Sequence, residues 1–384
     1  MKKLVLTFFL VCSAFFVSAN ILSNSAKIHL LTCQPGTEVY ATFGHSALYV
    51  QDKENNIDAV FNYGIFDFDE DDFLYKFIKG ETYYILGVSE YEDFLWSYER
   101  RQCGVYSQEL NLTQDEKERL FAALYENAKP ENRRYLYNFF YDNCATRIRD
   151  IVEKSVDGKV LFPSFDSDDV CYRTYVAEYA TNNTWLKFGI DVLVGQPADV
   201  PISDYEAMFL PDYLSNNFKE TRVVRDSTVQ SLVAFESENL VPDFPREKPT
   251  RNAPLLTMFG VLLIAILISI YEIRKKRQII CFDFILFFVA GLIGIVVTFV
   301  QFFSIHPAVF PNYNILWLHP LQLVFAVLLL IKPIRNKLRF YHYFNIIMVL
   351  AAIIFSFFAQ KFHLAFYPLL AVMILRSVLG LSKR

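Results

Sequence analysis

The distribution of hydrophobic residues divides this chain of 384 residues into two parts. In the C-terminal third, long apolar runs follow one another, and most approach the roughly 20 residues that a helix needs to span a bilayer. The runs cover residues 255–271, 279–303, 315–331, 343–358 and 362–381. A soluble core rarely needs five such runs in succession. The pattern predicts an integral membrane domain of five helices over residues 254–384.

The basic residues predict how these helices are oriented. Clusters of Lys and Arg follow the first run at 274–277, the third run at 332–339, and the last run at the C-terminus. The loop at 304–314 carries no Lys, Arg, Asp or Glu. The positive-inside rule therefore places the basic stretches and the C-terminus in the cytoplasm, and everything before residue 255 outside.

The N-terminus gives the same orientation independently. Lys2 and Lys3 precede an apolar stretch at 4–16, and Val17-Ser18-Ala19 resembles a cleavage site. Residues 1–19 therefore read as a signal peptide. Cys12 invites a lipoprotein reading, but the bulky Val11 before it and the short apolar run favour ordinary cleavage.

The part between these segments predicts a mixed α+β domain over residues 20–220. Alternating or β-branched patterns predict strands at 45–50, 59–63, 82–88 and 105–112. Helices are predicted at 69–79, after the capping box at 113–116, and after Asp142 or Asn143. Residues 155–220 show no clear element. The proline- and charge-containing stretch at 241–249 lies in a predicted linker over 221–253.

Two motifs in this domain contain the groups that thiol catalysis needs. His45 lies in Phe43-Gly44-His45-Ser46 at the start of a strand, and Cys144 lies in Tyr141-Asp142-Asn143-Cys144-Ala145-Thr146-Arg147 at a predicted helix start. The helix dipole and free backbone N–H groups there favour a thiolate. His45 is placed to act as its base, if the fold brings the two together. The competing reading is a small core cysteine and a structural histidine.

A third polar group should orient the histidine. Asn62, on the next strand, is the first candidate, although a strand-end asparagine is the plainer reading; the others are Tyr63, Tyr141 and Asp142. Arg147 lies on the same side of the helix as Cys144 and suits either a phosphate or a structural salt bridge. Asn143, Asp142, Arg147 and Tyr63 are thus candidates for substrate binding or support.

The remaining composition narrows the chemistry. Cys33, Cys103 and Cys171 share the exported domain, where disulfides are permitted, and a Cys33–Cys103 pair is one possibility. No clustered His and Cys spacing suggests a metal site, and no cofactor is expected. A net charge of −4 without a basic aromatic stripe makes nucleic acid an unlikely partner.

The two motifs also carry a family resemblance. Together with Thr32-Cys33-Gln34-Pro35-Gly36, Phe61-Asn62-Tyr63-Gly64-Ile65-Phe66-Asp67-Phe68, Trp185, Gly189-Ile190-Asp191 and Met208-Phe209-Leu210-Pro211, they resemble the lipoprotein N-acyltransferases of Bacteroidota, the Lnb family. More distantly, the order of histidine before cysteine resembles circularly permuted papain-like folds of the NlpC/P60 superfamily.

The resemblance implies a permuted papain-like periplasmic domain followed by five transmembrane helices in the bacterial inner membrane. It implies that Cys144 accepts an acyl chain from a membrane phospholipid, with His45 as base, and passes it to the N-terminal amine of diacylated lipoproteins. The alternatives are a membrane-anchored NlpC/P60-like peptidase or amidase acting on the cell wall, and a non-catalytic membrane scaffold with an exported binding domain.

Overall fold

The computed structural model describes residues 21–66, 72–165, 170–235, 238–244, 252–335 and 337–382. The predicted signal peptide at 1–19 lies outside these ranges, as does the start of the helix predicted at 69–79. The N-terminal part is a mixed α+β domain rich in sheet, and the C-terminal part is helical, as the sequence predicts. The strands are β1 (Lys27–Cys33), β2 (His45–Asp52), β3 (Ile57–Phe66), β4 (Tyr83–Ser89), β5 (Val105–Glu109), β6 (Arg134–Leu136), β7 (Lys159–Leu161), β8 (Arg222–Arg225), β9 (Thr228–Ser231) and β10 (Glu238–Val241). The helices of the N-terminal domain are α1 (Phe73–Lys79), α2 (Tyr91–Arg100), α3 (Gln114–Ala128), α4 (Cys144–Ser155), α5 (Tyr172–Tyr179), α6 (Thr184–Leu193), α7 (Asp204–Ala207) and α8 (Pro211–Glu220).

Seven of the strands form one antiparallel sheet in the order β10-β5-β1-β2-β3-β4-β6. β2 lies at its centre and its middle is buried on both faces, which explains the unbroken apolar run at residues 47–50. Leu48 and Val50 face a core that also contains buried side chains of α3, α4 and α8. Ala47 and Tyr49 face a second core with α2. α4 therefore packs directly over the strand that begins at His45.

The N-terminal domain extends beyond the boundary predicted at residue 220. Residues 222–241, assigned from sequence to the linker 221–253, contain β8, β9 and β10. β7, β8 and β9 form a small second sheet, and β10 completes the edge of the main sheet beside β5. β9 and β10 are four-residue strands with exposed polar positions, so their sequences show little hydrophobic periodicity. They are stabilised by pairing with β8 and β5, respectively.

All five apolar runs contain helices, but not all are continuous spans. The helices are α9 (Ala253–Lys275), α10 (Ile280–Phe303), α11 (Leu321–Leu329), the short α12 (Lys332–Arg335), α13 (Arg339–Phe358) and α14 (Phe366–Ser382). Of the described helices, α9, α10 and α13 are long and apolar enough to cross a membrane. The predicted span at 315–331 is interrupted: a 3-10 turn at Tyr313–Leu316 precedes Pro320, and α11 starts only after it.

Buried carboxamides join the two domains. Asn314 Nδ2 donates to the carbonyl of Asp191 at 2.9 Å, and Asn312 Nδ2 to that of Val192 at 2.9 Å. Gln360 Nε2 donates to the Val194 carbonyl at 3.3 Å. These side chains come from the loops that follow α10 and α13, and they bond the end of α6. Because unpaired polar groups are costly to bury, this interface fixes how the sheet-rich domain sits on the helices.

Candidate active site

His45 is held at the first position of β2 by its neighbours in the sheet. Gly44, just before it, has φ +73°, and a Cβ there would lie 2.8 Å from the carbonyl oxygen of Cys33. Only glycine fits this turn without displacing the adjacent strand. The ring Nε2 of His45 lies 2.5 Å from Oδ1 of Asn62 on β3. Asn62, the first candidate for the orienting group, is therefore bonded to the imidazole.

Cys144 is the first residue of α4, and Asn143 is the cap of that helix. Asn143 Oδ1 accepts from the backbone N–H of Ala145 and Thr146 at 2.9 Å each. Its Nδ2 donates to the carbonyls of Phe139 at 2.8 Å and Phe209 at 2.7 Å. Asn143 is therefore fully engaged in holding the helix start in place. Its side chain has no remaining hydrogen-bonding group for a substrate.

The Cys144 thiol and the His45 imidazole are hydrogen-bonded and shift each other's ionisation. Burial disfavours the thiolate, but the charge of His45 and hydrogen bonds from His45, Ser46 N–H and Ala145 N–H outweigh it, so the pKa of Cys144 falls below its ordinary value. Burial also disfavours the imidazolium, yet Cys144 and Asn62 together raise the pKa of His45. The two shifts favour a thiolate–imidazolium pair near neutral pH.

A second thiol beside this pair has the opposite environment. Cys33 on β1 pairs across the sheet with His45 and is fully buried. Burial, followed by smaller effects that include the nearby Cys144, raises the pKa of the Cys33 thiol strongly, although Tyr98 hydrogen-bonds it. Of the two neighbouring thiols, only Cys144 is therefore set up as a nucleophile. Cys33, Cys103, Cys144 and Cys171 form no disulfide among the described residues, so the pairing considered for Cys33 and Cys103 is not formed.

Gly64 keeps the space over the pair open. It has φ +92°, and a Cβ built on it would lie 3.6 Å from Cβ of Cys144, 3.8 Å from Cε1 of His45 and 3.7 Å from the ring of Tyr137. A side chain at position 64 would therefore occupy the space next to Cys144, His45 and the ring of Tyr137. Cys144 itself is 6% exposed. The sequence contains Gly64 in a matching motif but gives no sign of its position over the thiol.

Arg147 and Asp142 form a structural clamp in front of α4. Arg147 Nε and Nη2 donate to the two carboxylate oxygens of Asp142 at 2.6 and 2.7 Å. The guanidinium lies over the ring of Tyr135, 3.6 Å from its centroid. Of the two sequence readings of Arg147, this geometry favours the salt bridge, because a bidentate, stacked guanidinium is already satisfied. The clamp stabilises the turn that presents Cys144.

Tyr63 and Tyr141 are not brought to the imidazole. Tyr63 is buried in the core and its hydroxyl accepts from Nδ2 of Asn127 at 2.8 Å. The ring of Tyr141 packs edge-on against Tyr172, 5.6 Å between centroids. Among the candidates for the third group, only Asn62 is bonded to His45.

The N-terminal domain contains a cavity of about 400 Å³. The loop between β1 and β2, the end of α2 and the Tyr179–Asn183 region line it, with Arg101 contributing a positive charge. That charge acts weakly against protonation of His45. Within the described ranges, no group of three or more His, Cys, Asp or Glu side chains is arranged to hold a metal ion.

We expect Asn62→Ala to slow Cys144 acylation roughly 10- to 100-fold, the usual cost of losing a group that orients a catalytic ligand or base. The imidazole would lose its only orienting bond at Nε2 while the thiol stays in place. The release of p-nitrophenol from p-nitrophenyl butyrate measures this rate. Tyr63→Phe is the matched control, since it removes a hydroxyl bonded only to Asn127 and should leave the rate unchanged. An unchanged rate in Asn62→Ala would contradict the orienting role.

The fold and the site together define a membrane protein with an exported α+β domain. In that domain a cysteine at a helix start is paired with a histidine at a strand start. The chain belongs to the Lnb family: residues 16–176 match the model of the Lnb N-terminal periplasmic domain, and residues 246–384 match that of the Lnb transmembrane domain. The first match contains both motifs, and the second contains every described membrane helix. A search of curated proteins gave no match, and neither did a search of solved structures.

Proposed function

We propose that this protein is a lipoprotein N-acyltransferase that works through a thioester on Cys144. The observation that carries the proposal is the Cys144–His45–Asn62 arrangement, in a periplasmic domain fastened to a transmembrane domain. Family membership supports the same reaction. The phospholipid donor and the lipoprotein acceptor are both anchored in the membrane in this reaction, which accounts for a catalytic domain that is hydrogen-bonded to the membrane helices.

The first half-reaction forms the thioester. The Cys144 thiolate attacks the carbonyl carbon of an ester-linked acyl chain of a phospholipid. The ester C–O bond breaks as the tetrahedral intermediate collapses, and the imidazolium of His45 gives its proton to the departing lysophospholipid oxygen. Cys144 then carries the acyl chain, and His45 is neutral. The backbone N–H of Cys144, for which the described residues provide no acceptor, is a candidate donor to the oxyanion.

The second half-reaction forms the amide. The α-amine of the N-terminal cysteine of a diacylated lipoprotein attacks the thioester carbonyl, and neutral His45 takes the proton that the amine loses. The C–S bond breaks and the thiolate–imidazolium pair is restored. The net change converts one ester and one amine into one amide and one lysophospholipid, with no cofactor required.

The architecture supports two further parts of the proposal. A histidine on a strand before a cysteine at a helix start, with an asparagine on the next strand, fits a permuted papain-like domain. We also propose five spans in the bacterial inner membrane with a cytoplasmic C-terminus. In that arrangement α11 and α14 complete their crossings through the adjoining turns. In the turn before α11, buried Gln322 donates to the backbone carbonyl of Trp317, whose indole N–H donates to Asn314 Oδ1.

Expression in a bacterium depleted of its own lipoprotein N-acyltransferase tests the reaction. We expect wild-type protein to restore triacylated N-termini on lipoproteins, read by mass spectrometry of the N-terminal peptides. Termini that stay diacylated while the protein is present in the membrane would contradict the proposal. A changed muropeptide profile without triacylation would instead indicate the peptidase or amidase alternative.

A further inference from the structure

Helix α1 links the catalytic sheet to the membrane surface. It lies between β3, which carries Asn62 and Gly64, and β4. The backbone N–H of Ile305 donates to the Lys79 carbonyl at 2.9 Å, and His306 Nε2 lies 2.9 Å from the Phe77 carbonyl oxygen. Both donors follow directly after α10, which ends at Phe303. α1 is therefore fixed at the exported end of a membrane span.

The exposed face of α1, next to the end of α10, is aromatic. Tyr75 is 55% exposed and Phe77 47% exposed, although both also contact residues at the end of α10. Phe302 and Phe303, close by on α10, are more than half exposed. Aromatic rings at the end of a span lie at the boundary between headgroups and acyl chains. The exposed surface of α1 is thus a surface for lipid.

Packed aromatic rings connect the end of β3, the strand that precedes α1, with the catalytic pair. Phe66, at the end of β3, packs on Tyr84 with 4.5 Å between ring centroids. Tyr84 stacks on Tyr137 at 4.0 Å. Tyr137 in turn adjoins the space over Cys144 and His45 that Gly64 leaves open. We call Phe66, Tyr84 and Tyr137 the aromatic track, and Tyr75 and Phe77 the membrane lip.

We propose that the membrane lip inserts into the outer half of the bilayer and admits a phospholipid acyl chain on the side of the domain where β3 and the aromatic track border the catalytic pair. The proposal rests on the function proposed above and identifies where the donor enters. An acyl chain is the occupant that fits, because the exposed rings of the lip adjoin the end of a membrane span. Entry at the lip keeps the chain out of water as its carbonyl approaches the thiolate.

The double variant Tyr75→Gln with Phe77→Gln tests the lip in the purified full-length protein. One assay supplies vesicles of phosphatidylethanolamine and phosphatidylglycerol as donor; the other supplies p-nitrophenyl butyrate, which needs no bilayer. We expect acylation from vesicles to fall roughly tenfold or more, since the exposed rings no longer hold the entry against the bilayer. The rate with the soluble ester should stay within about twofold, because the catalytic pair is untouched.

Matched controls separate the lip from a general effect of lost aromatic surface. Trp96 on α2 and Tyr125 on α3 are equally exposed on helices that pack on the sheet, so Trp96→Gln with Tyr125→Gln should change neither rate. Tyr75→Leu with Phe77→Leu should keep the vesicle rate. Equal losses with both donors, or no loss with either, would overturn the lip. A wild-type protein that reacts with the soluble ester but forms no triacylated product from vesicles would overturn the proposed function itself.

Discussion

Cys144→Ala should abolish acyl transfer, with a loss of roughly 10⁴-fold or more in the rate of triacylated product formation. The variant removes the only thiol in the site whose pKa is lowered by its surroundings, and with it the atom that carries the acyl chain. The measurement uses phospholipid vesicles and a diacylated lipopeptide, with the product quantified by mass spectrometry. The fold should persist, because Asn143 and not Cys144 caps α4.

Cys33→Ala is the matched control for this experiment. Cys33 is also buried and lies across the β1–β2 strand pair from His45, but burial keeps its thiol protonated. We expect its activity to stay within a few-fold of wild type, at a stability cost of about 1 kcal/mol for the smaller core side chain. Comparable losses in the two variants would mean that both cysteines matter only as packed core side chains. Triacylation that persists in Cys144→Ala would end the thioester mechanism.

His45→Gln should change both the rate and its pH dependence. In the wild type, activity should rise with pH through the lowered pKa of Cys144 and fall as pH passes the raised pKa of His45, because the thiolate–imidazolium pair exists only between the two. Without the imidazolium, only the backbone hydrogen bonds from Ser46 and Ala145 oppose the effect of burial, so the pKa of the Cys144 thiol rises. We expect acylation at neutral pH to fall roughly 10³-fold.

The pH dependence of Cys144 alkylation by iodoacetamide measures this shift in the pKa of Cys144 without any substrate. The midpoint should lie below the ordinary cysteine value in the wild type and at higher pH in His45→Gln. Each unit between the two midpoints corresponds to about 1.4 kcal/mol of interaction between the thiolate and its surroundings. A midpoint that does not move would show that His45 does not stabilise the thiolate.

Local sequence signals predicted the candidate catalytic pair but not its surroundings. The two motifs identify His45 and Cys144, and residue type identifies a helix cap at Asp142 or Asn143; the structure selects Asn143. The contact between Asn62 and His45 depends on the pairing of β2 with β3, which the sequence does not show. From the sequence alone, a strand-end asparagine without a role in the site was the competing interpretation. The position of Gly64 over the thiol depends on the packing of α4 against the sheet, so no local pattern predicts it.

The membrane domain shows the same limit on a larger scale. Apolar runs predicted helices in all five places, because their burial in lipid depends on composition alone. The interruption before Pro320 depends instead on side chains that bond the freed backbone, such as Gln322 to the Trp317 carbonyl. The carboxamides that join the domains are ordinary loop residues in the sequence. Their role becomes apparent only in the structure, where Asn314 Nδ2 donates to the Asp191 carbonyl near the end of α6.

Direct observation of the acyl-enzyme tests the central claim most directly. Full-length protein is mixed with phospholipid vesicles without acceptor, digested, and the peptide containing Cys144 is weighed by mass spectrometry. The account predicts one acyl chain on Cys144, released by neutral hydroxylamine and lost when a diacylated lipopeptide is added. An enzyme that makes triacylated product while the Cys144 peptide never carries an acyl chain would contradict it.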